Sequence, residues 1–330
     1  MKSTAITTAA LTATIVMLMT TGPAAQAQAP TDVLSVTYIQ LEGAGDSTLI
    51  QTPSQKTILI DGGLKRDYAG TIKPLLDEKG IDTIDLIIGT HKDRDHLNGI
   101  NGLLEADQIP VNAIWFSPEL SNTTTVTTPF YDSVERKNIP LSFPTTGDTS
   151  TIDADVHIEV LSPNQIRQFN DDNANSIVML LEYGDIEFLF TGDATEDTES
   201  WLVANTQGDK LDIDIMNAPH HGSIGTSNTQ AFIAATSPEL VIFSADEDNR
   251  YGHPDEATVD RYEANNIDHL QTGTAGHINV QTDGIKCSIL FANGTEVACF
   301  EGVSKLSEQT ATPQQQQQQL TYTATKTTCR

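Results

Sequence analysis

Four residues able to bind a metal, His91, Asp93, Asp95 and His96, fall within the six-residue stretch His91-Lys92-Asp93-Arg94-Asp95-His96. Imidazole nitrogens and carboxylate oxygens gathered in one short loop suit zinc, manganese or iron, and do not suit an ion that seeks thiolate. A cation held in such a loop would lower the pKa of its bound water toward ~7 and make hydroxide accessible near neutral pH. The apolar run Leu86-Ile87-Ile88-Gly89 precedes the loop and reads as a buried strand, and Leu97, Ile100, Leu103 and Leu104 follow it at helical spacing. The cluster therefore sits between a strand and a helix, where rigid elements can aim several side chains at one point.

The same strand-exit pattern recurs along the chain. A strand over 56–60 ends in Asp61-Gly62-Gly63, where the glycines let the backbone turn sharply and bring Asp61 close behind the metal loop. A hairpin over 175–190, turning at Gly184-Asp185, ends in Thr191-Gly192-Asp193, and a carboxylate at that position can bridge two metals. A strand over 213–216 runs into His220-His221-Gly222-Ser223. Neighbouring histidines project differently, so one can ligate metal while the other meets substrate. A strand over 240–244 leads to Gly252-His253-Pro254, which puts His253 on a loop at the same kind of strand end. His157, His269 and His277 lie in or beside alternating strands and read as structural.

These exits need a scaffold of strands and helices. Strands are expected over 33–41, 47–51 and 113–116, and helices over 68–79 and 255–264. Residues 117–152 are rich in Thr, Ser and Pro with little periodicity, and read as a long surface excursion near the site, a candidate substrate-contacting lid. The start of the chain, with Lys2, an apolar stretch over 9–19 and Ala25-Gln26-Ala27, has the plan of a secretory signal over 1–27, cleaved or retained as an anchor. No later segment is apolar enough to cross a bilayer, so the folded part, 28–303, is expected to be secreted or periplasmic. From Ser304 the composition turns to Ser, Thr and Gln, and 304–330 reads as a disordered tail.

Asp and Glu number 45 against 18 Lys and Arg, a formal charge of −27. That excess favours solubility and cation binding and opposes a stable complex with nucleic acid or a membrane. Three cysteines lack metal-site spacing. Cys287 and Cys299 flank the turn Ala292-Asn293-Gly294-Thr295. A two-residue turn would leave them one position out of register, whereas a three-residue turn or a bulge would set them opposite, and export permits a disulfide. Cys329 lies in the tail and is expected to stay unpaired.

Taken together, Gly43-x-Gly45-Asp46, Asp61-Gly62-Gly63, His91-x-Asp93-x-Asp95-His96, Asn175-Ser176, Gly192-Asp193, His220-His221-Gly222-Ser223 and Gly252-His253-Pro254 resemble the metallo-β-lactamase superfamily. Within it they look most like the extracytoplasmic domain of ComEC competence proteins. The resemblance implies a four-layer αβ/βα sandwich with one or two zinc ions, or manganese, at one edge of its sheets. It assigns His91 to a first metal, with Asp93 standing where many members have a second histidine. Asp95 and His96 would serve the second metal, Asp193 would bridge, and His221 would be the last ligand. Asp61 would support the ligands from behind. Between His96 and Gly192, where many members place a third first-site ligand, the only histidine is His157, which reads as structural. Asp95 or Asp193 would take the proton of the attacking water, and His220, Ser223 and His253 would steady the substrate's charge. The implied substrate is a small phosphodiester or extracellular DNA. A lactone or β-lactam hydrolase, or a non-catalytic secreted protein that binds a metal or a partner, are the rival readings.

Overall fold

The computed structural model describes residues 32–43, 45–117, 124–164, 169–208 and 210–299. The signal-like start, the Gln-rich tail and Cys329 lie outside the described residues. The strands, in chain order, are β1 (Leu34–Tyr38), β2 (Thr48–Gln51), β3 (Thr57–Ile60), β4 (Leu86–Gly89), β5 (Ile114–Phe116), β6 (Leu141–Ser142), β7 (Thr149–Ser150), β8 (His157–Ser162), β9 (Val178–Tyr183), β10 (Ile186–Phe190), β11 (Ile215–Asn217), β12 (Leu240–Phe243), β13 (Asp268–Gln271), β14 (Ile278–Thr282), β15 (Cys287–Phe291) and β16 (Glu296–Ala298). The helices are α1 (Lys65–Asp67), continued through a π turn at Tyr68–Ile72 into α2 (Lys73–Glu78), then α3 (Arg94–Ala106), α4 (Thr127–Lys137), α5 (Glu196–Asn205), α6 (Gln230–Thr236), α7 (Glu256–Ala264) and the short α8 (Thr272–Ala275).

One sheet has nine strands in the order β16-β15-β14-β1-β2-β3-β4-β5-β6, and the other has seven in the order β13-β12-β11-β10-β9-β8-β7. Each sheet is mixed. Pairing is parallel from β3 through β6 in the first and from β10 through β13 in the second, and antiparallel elsewhere. The sheets face each other across a core of Val36, Ile58, Leu86, Ile88, Phe188 and Ile242. The other faces carry helices: Leu97, Ile100, Leu103 and Phe130 cover the first sheet, and Leu202, Phe232 and Tyr262 cover the second. This is the αβ/βα sandwich that the family resemblance implied.

The layering explains the unbroken apolar runs. In β4, Leu86 and Ile88 enter the core between the sheets while Ile87 meets the helices, so neither face can be polar. In β12, Leu240 and Ile242 point inward while Val241 and Phe243 meet the helical layer.

The reading of 117–152 as a long surface excursion with little periodicity is corrected for its described residues, 117 and 124–152. Within it, α4 lays Phe130 and Val134 on the first sheet, with the Phe130 ring 4.8 Å from that of Phe116. Pro129 sits in the first turn of α4, where a missing N–H breaks no helical bond. β6 extends the first sheet and β7 the second. Cys287 and Cys299 form a disulfide, with Cα atoms 5.5 Å apart. The hairpin pairs Ser288 with Ala298 and Phe291 donates its N–H to Thr295, so three residues make the turn and the cysteines stand opposite.

Candidate metal centre

β3 and β4 are adjacent and parallel in the first sheet, and β10 and β11 in the second. The carboxyl ends of all four strands meet at one place, the end of a parallel sheet where ligands commonly bind. Asp61 follows β3, His91 follows β4, Asp193 follows β10, and His220 and His221 follow β11.

Asp193 is the hub. Its Oδ1 lies 3.2 Å from His96 Nε2 and 3.5 Å from His221 Nε2. Its Oδ2 lies 3.6 Å from His91 Nε2 and 3.5 Å from His220 Nε2. Each imidazole is pinned through its other nitrogen. His96 Nδ1 donates to Asp61 Oδ2 at 2.8 Å, and His221 Nδ1 donates to the Ser244 carbonyl at 3.1 Å. Thr90 gives its hydroxyl proton to Asp61 at 2.6 Å, so its lone pair takes the proton of His91 Nδ1 at 3.1 Å. Thr226 gives its proton to Ser223 and stands 3.0 Å from His220 Nδ1. An Nδ1–H held on an oxygen leaves Nε2 as a lone pair, the form that ligates metal.

While the imidazoles are neutral, four such nitrogens surround one carboxylate with no donor among them. His96 Nε2 and His221 Nε2 approach to 3.3 Å, and two lone pairs at that distance need a proton or a cation between them. His91 Nε2 and Asp193 Oδ1 are buried with no hydrogen-bond partner, a deficit that is costly in a dry site. Ligand atoms of His91, His96 and Asp193 lie within 4.8 Å of one another, as do those of Asp95, His96 and His221. The residues therefore fit a divalent cation. His96 belongs to both groups, but with Nδ1 committed to Asp61 its single Nε2 serves one ion.

Electrostatics agree with the geometry. Burial opposes a charge on Asp193, yet His96, His221, His220 and His91 hold its carboxyl well below the ordinary range. Burial also opposes a charge on His96, and Asp193 and Asp61 on its two sides raise it well above the usual histidine value. His91 is lowered, by burial first and then by His96.

Of the expected site residues, His91, Asp95, His96, Asp193 and His221 converge, with Asp61 behind them. His220 joins them, as near to Asp193 Oδ2 as His91 is. The structure does not bring Asp93 into either ligand group: it is exposed, and its backbone carbonyl receives the N–H groups of His96 and Leu97 as α3 begins. Ser223 is buried beneath the loop with its hydroxyl on Thr226 rather than at the site surface. His253 lies at the rim, its ring 6.1 Å from that of His220. Burial, then the nearby His221, lowers its pKa, although Asp255 lies 3.5 Å away.

Three residues of the site had no assigned role. Asp46 is buried, its Oδ2 takes a hydrogen bond from Asn217 at 3.1 Å, and its Oδ1 has no partner. Burial raises its pKa, against the pull of His221 and His96. The Gly-x-Gly before it was its signal. Asn217, which also accepts from Thr191 N–H, was visible only as a polar residue closing an apolar strand. Asn228, which donates to the Pro219 and Ser223 carbonyls, sits in no motif.

A fold of two mixed sheets between helices, with aspartates and histidines gathered at the strand ends, defines a class of metal-dependent hydrolase. The family model described as the metallo-beta-lactamase superfamily matches residues 41–245, and the chain belongs to that superfamily. Over 289 residues it is 25% identical to ComE operon protein 3 of Bacillus subtilis (strain 168), a match covering 82% of this chain and 35% of the relative. It is 30% identical over 235 residues to competence protein ComA of Neisseria gonorrhoeae, covering 71% of this chain and 30% of the relative. The chain thus spans about a third of the length of these curated relatives. Among solved structures, Igni18 of Ignicoccus hospitalis KIN4/I, described as a metallo hydrolase, aligns with a TM-score of 0.47 at 10% identity, over 74% of this chain and 98% of that one. Among the described residues, no helix is long and apolar enough to cross a membrane.

Proposed function

We propose that this metallo-hydrolase is an exported phosphodiesterase. The observation that carries the reading is the cage itself, one buried carboxylate facing four Nε2 lone pairs. A divalent ion held by His91, His96 and Asp193, or by Asp95, His96 and His221, would supply Lewis acidity, offsetting phosphate charge and acidifying water. The chain's own residues do the rest. Asp61, Thr90 and the Ser244 carbonyl fix the tautomers of His96, His91 and His221 and hold the rings against rotation. Among the four imidazoles His220 is the most open to solvent, at 21% side-chain exposure against 3% or less for the others. It faces an incoming substrate and is placed to return a proton to the departing oxygen. His253 lines the rim beside it.

A phosphodiester is supported by the similarity to a relative named as a competence protein. The charge of −27 works against retention of a long polyanion. The substrate is therefore a small phosphodiester or an accessible stretch of extracellular DNA, released after cleavage. The Cys287–Cys299 disulfide and the signal-like start support export to an oxidising compartment.

The test is turnover of bis(p-nitrophenyl) phosphate by protein stripped with a chelator and reloaded with zinc or with manganese. Activity should return with metal and fall to background in Asp193→Asn. Confirmed metal binding with no turnover by either form would discard the phosphodiesterase reading in favour of lactone hydrolysis or a binding role.

A further inference from the structure

A ladder of planar groups leads outward from the metal centre. The His220 ring lies 6.1 Å from His253, edge to face, and His253 lies 5.9 Å from Tyr251 with the rings only 14° from parallel. The Arg250 guanidinium lies over the Tyr251 ring, 4.4 Å from its centroid. Tyr251 is half exposed, at 50%, and Arg250 is exposed.

The loop bearing this ladder is held in shape by a buried side chain. Asn249 Oδ1 accepts the N–H groups of Tyr251 and His253 at 3.2 and 3.0 Å, and its Nδ2 donates to the Asp246 and His253 carbonyls. Asp246 ties the loop to the β1–β2 turn, receiving Gly43 N–H on its carboxylate and giving its own N–H to the Gly43 carbonyl. Gly252, at φ +74°, supplies the left-handed step that turns the chain between Tyr251 and His253. A loop braced in this way, with its aromatic ring left in solvent, is preorganised for a ligand rather than for the core.

We propose that Tyr251 is the stacking platform of the substrate site and that Arg250 is its anion contact. The chemical class selected is a phosphate ester carrying a planar ring, a nucleotidic ester above all. The ring would take the face of Tyr251 now covered by the guanidinium, and Arg250 would move to the phosphate. Exchanging one contact inside the loop for a base and a phosphate keeps both planar surfaces covered. An exposed arginine beside the site also gives an anionic substrate a local counter-charge in a chain of net charge −27. The proposal rests on the phosphodiesterase reading, and names the substrate class for it.

The experiment uses the full metal-loaded protein and two probes that differ only in the ring-bearing group, thymidine 5′-monophosphate and methyl phosphate, with affinities read by calorimetry. The wild type should bind the nucleotide about tenfold more tightly. Tyr251→Ala should bring the two affinities together, Tyr251→Phe should keep the preference, and Arg250→Ala should weaken both ligands alike. With p-nitrophenyl esters of the same two groups, Tyr251→Ala should raise KM for the nucleoside ester and leave kcat in place. Equal affinities in the wild type, or a preference that survives Tyr251→Ala, would overturn the proposal. If neither ester is hydrolysed the phosphodiesterase reading falls, while the affinity difference still decides the platform.

Discussion

Two adjacent parallel strands carry the site in each sheet. β3 and β4 end in Asp61 and His91; β10 and β11 end in Asp193 and the His220-His221 pair. The first pair is fixed by backbone. α3 lies directly on the turn after β3: the Gly62 N–H donates to the His96 carbonyl and the Gly99 N–H to the Gly63 carbonyl, each at 2.8 Å. The second pair is fixed by side chains. His220 and His221 both adopt left-handed backbone, at φ +50° and +55°, which costs histidine energy that something must offset. Asn228 bridges the Pro219 and Ser223 carbonyls on either side of the pair, Tyr262 donates to Asn228, and the buried Glu199 accepts the N–H groups of Asn228 and Thr229. Gly192 joins the halves, since a Cβ there would come within 2.9 Å of the Thr90 side chain, which orders both Asp61 and His91. The first half cannot be altered without moving the scaffold, whereas the second can be loosened locally.

The contrast breaks most sharply at Gly99. A Cβ there would lie 1.6 Å from the Gly62 carbonyl oxygen, in backbone that has no rotamer to yield. Gly99→Ala should therefore lift α3 from the turn and cost about 3 kcal/mol or more, read as a lowered urea midpoint with loss of metal binding. Wild-type stability would mean that α3 is not seated as described. Asn228→Ala is the matching change in the second half. It strips partners from two carbonyls and the Tyr262 hydroxyl, a cost of about 1–3 kcal/mol. The fold should survive, while zinc affinity measured by calorimetry drops roughly 10–100-fold as the histidine pair relaxes. Unchanged affinity would show that the left-handed pair holds itself.

The first half was also the more legible. His91, Asp95 and His96 announce themselves because helix and loop crowd them into a few residues, and the apolar run of β4 has no alternative use. Asp193 and His221 were legible as types at strand ends. The departures come from facts that spacing does not encode. Whether Asp93 points at the metal depends on where α3 starts, and one residue decides it. The turn of His220 toward Asp193 depends on left-handed backbone, which glycine signals and histidine does not. Asn217 and Asn228 act through carbonyl and amide partners far away in sequence, so no local pattern marks them. α4 was hidden because its buried face rests on Phe130 and Val134 within a Thr- and Pro-rich segment.

The smallest expected effect separates the halves by their protons. His96 in the folded protein titrates well above its unfolded value of 6.5. The folded, metal-free chain therefore keeps a proton that the unfolded chain releases, and this stabilisation is full below about pH 6.5 and lost as pH rises through the folded value. His91 is shifted the other way, so its share is lost as pH falls below 6.5. A cation takes the place of the His96 proton, so the gain in Tm from zinc should widen from about pH 6 to about pH 8 as the competing proton is released. Glu187, raised to about 8 by burial and by Asp214, sits at the start of β10 and acts alike on both forms, so it cancels in the difference. Asp61→Asn removes one of the two carboxylates that raise His96 and should flatten the widening. Asn228→Ala, which touches neither carboxylate, should lower the zinc gain at every pH and leave its slope intact. A zinc gain in Tm that stays constant with pH in the wild type would mean that no proton stands in the metal's place, and that the two lone pairs of His96 and His221 are reconciled in some other way.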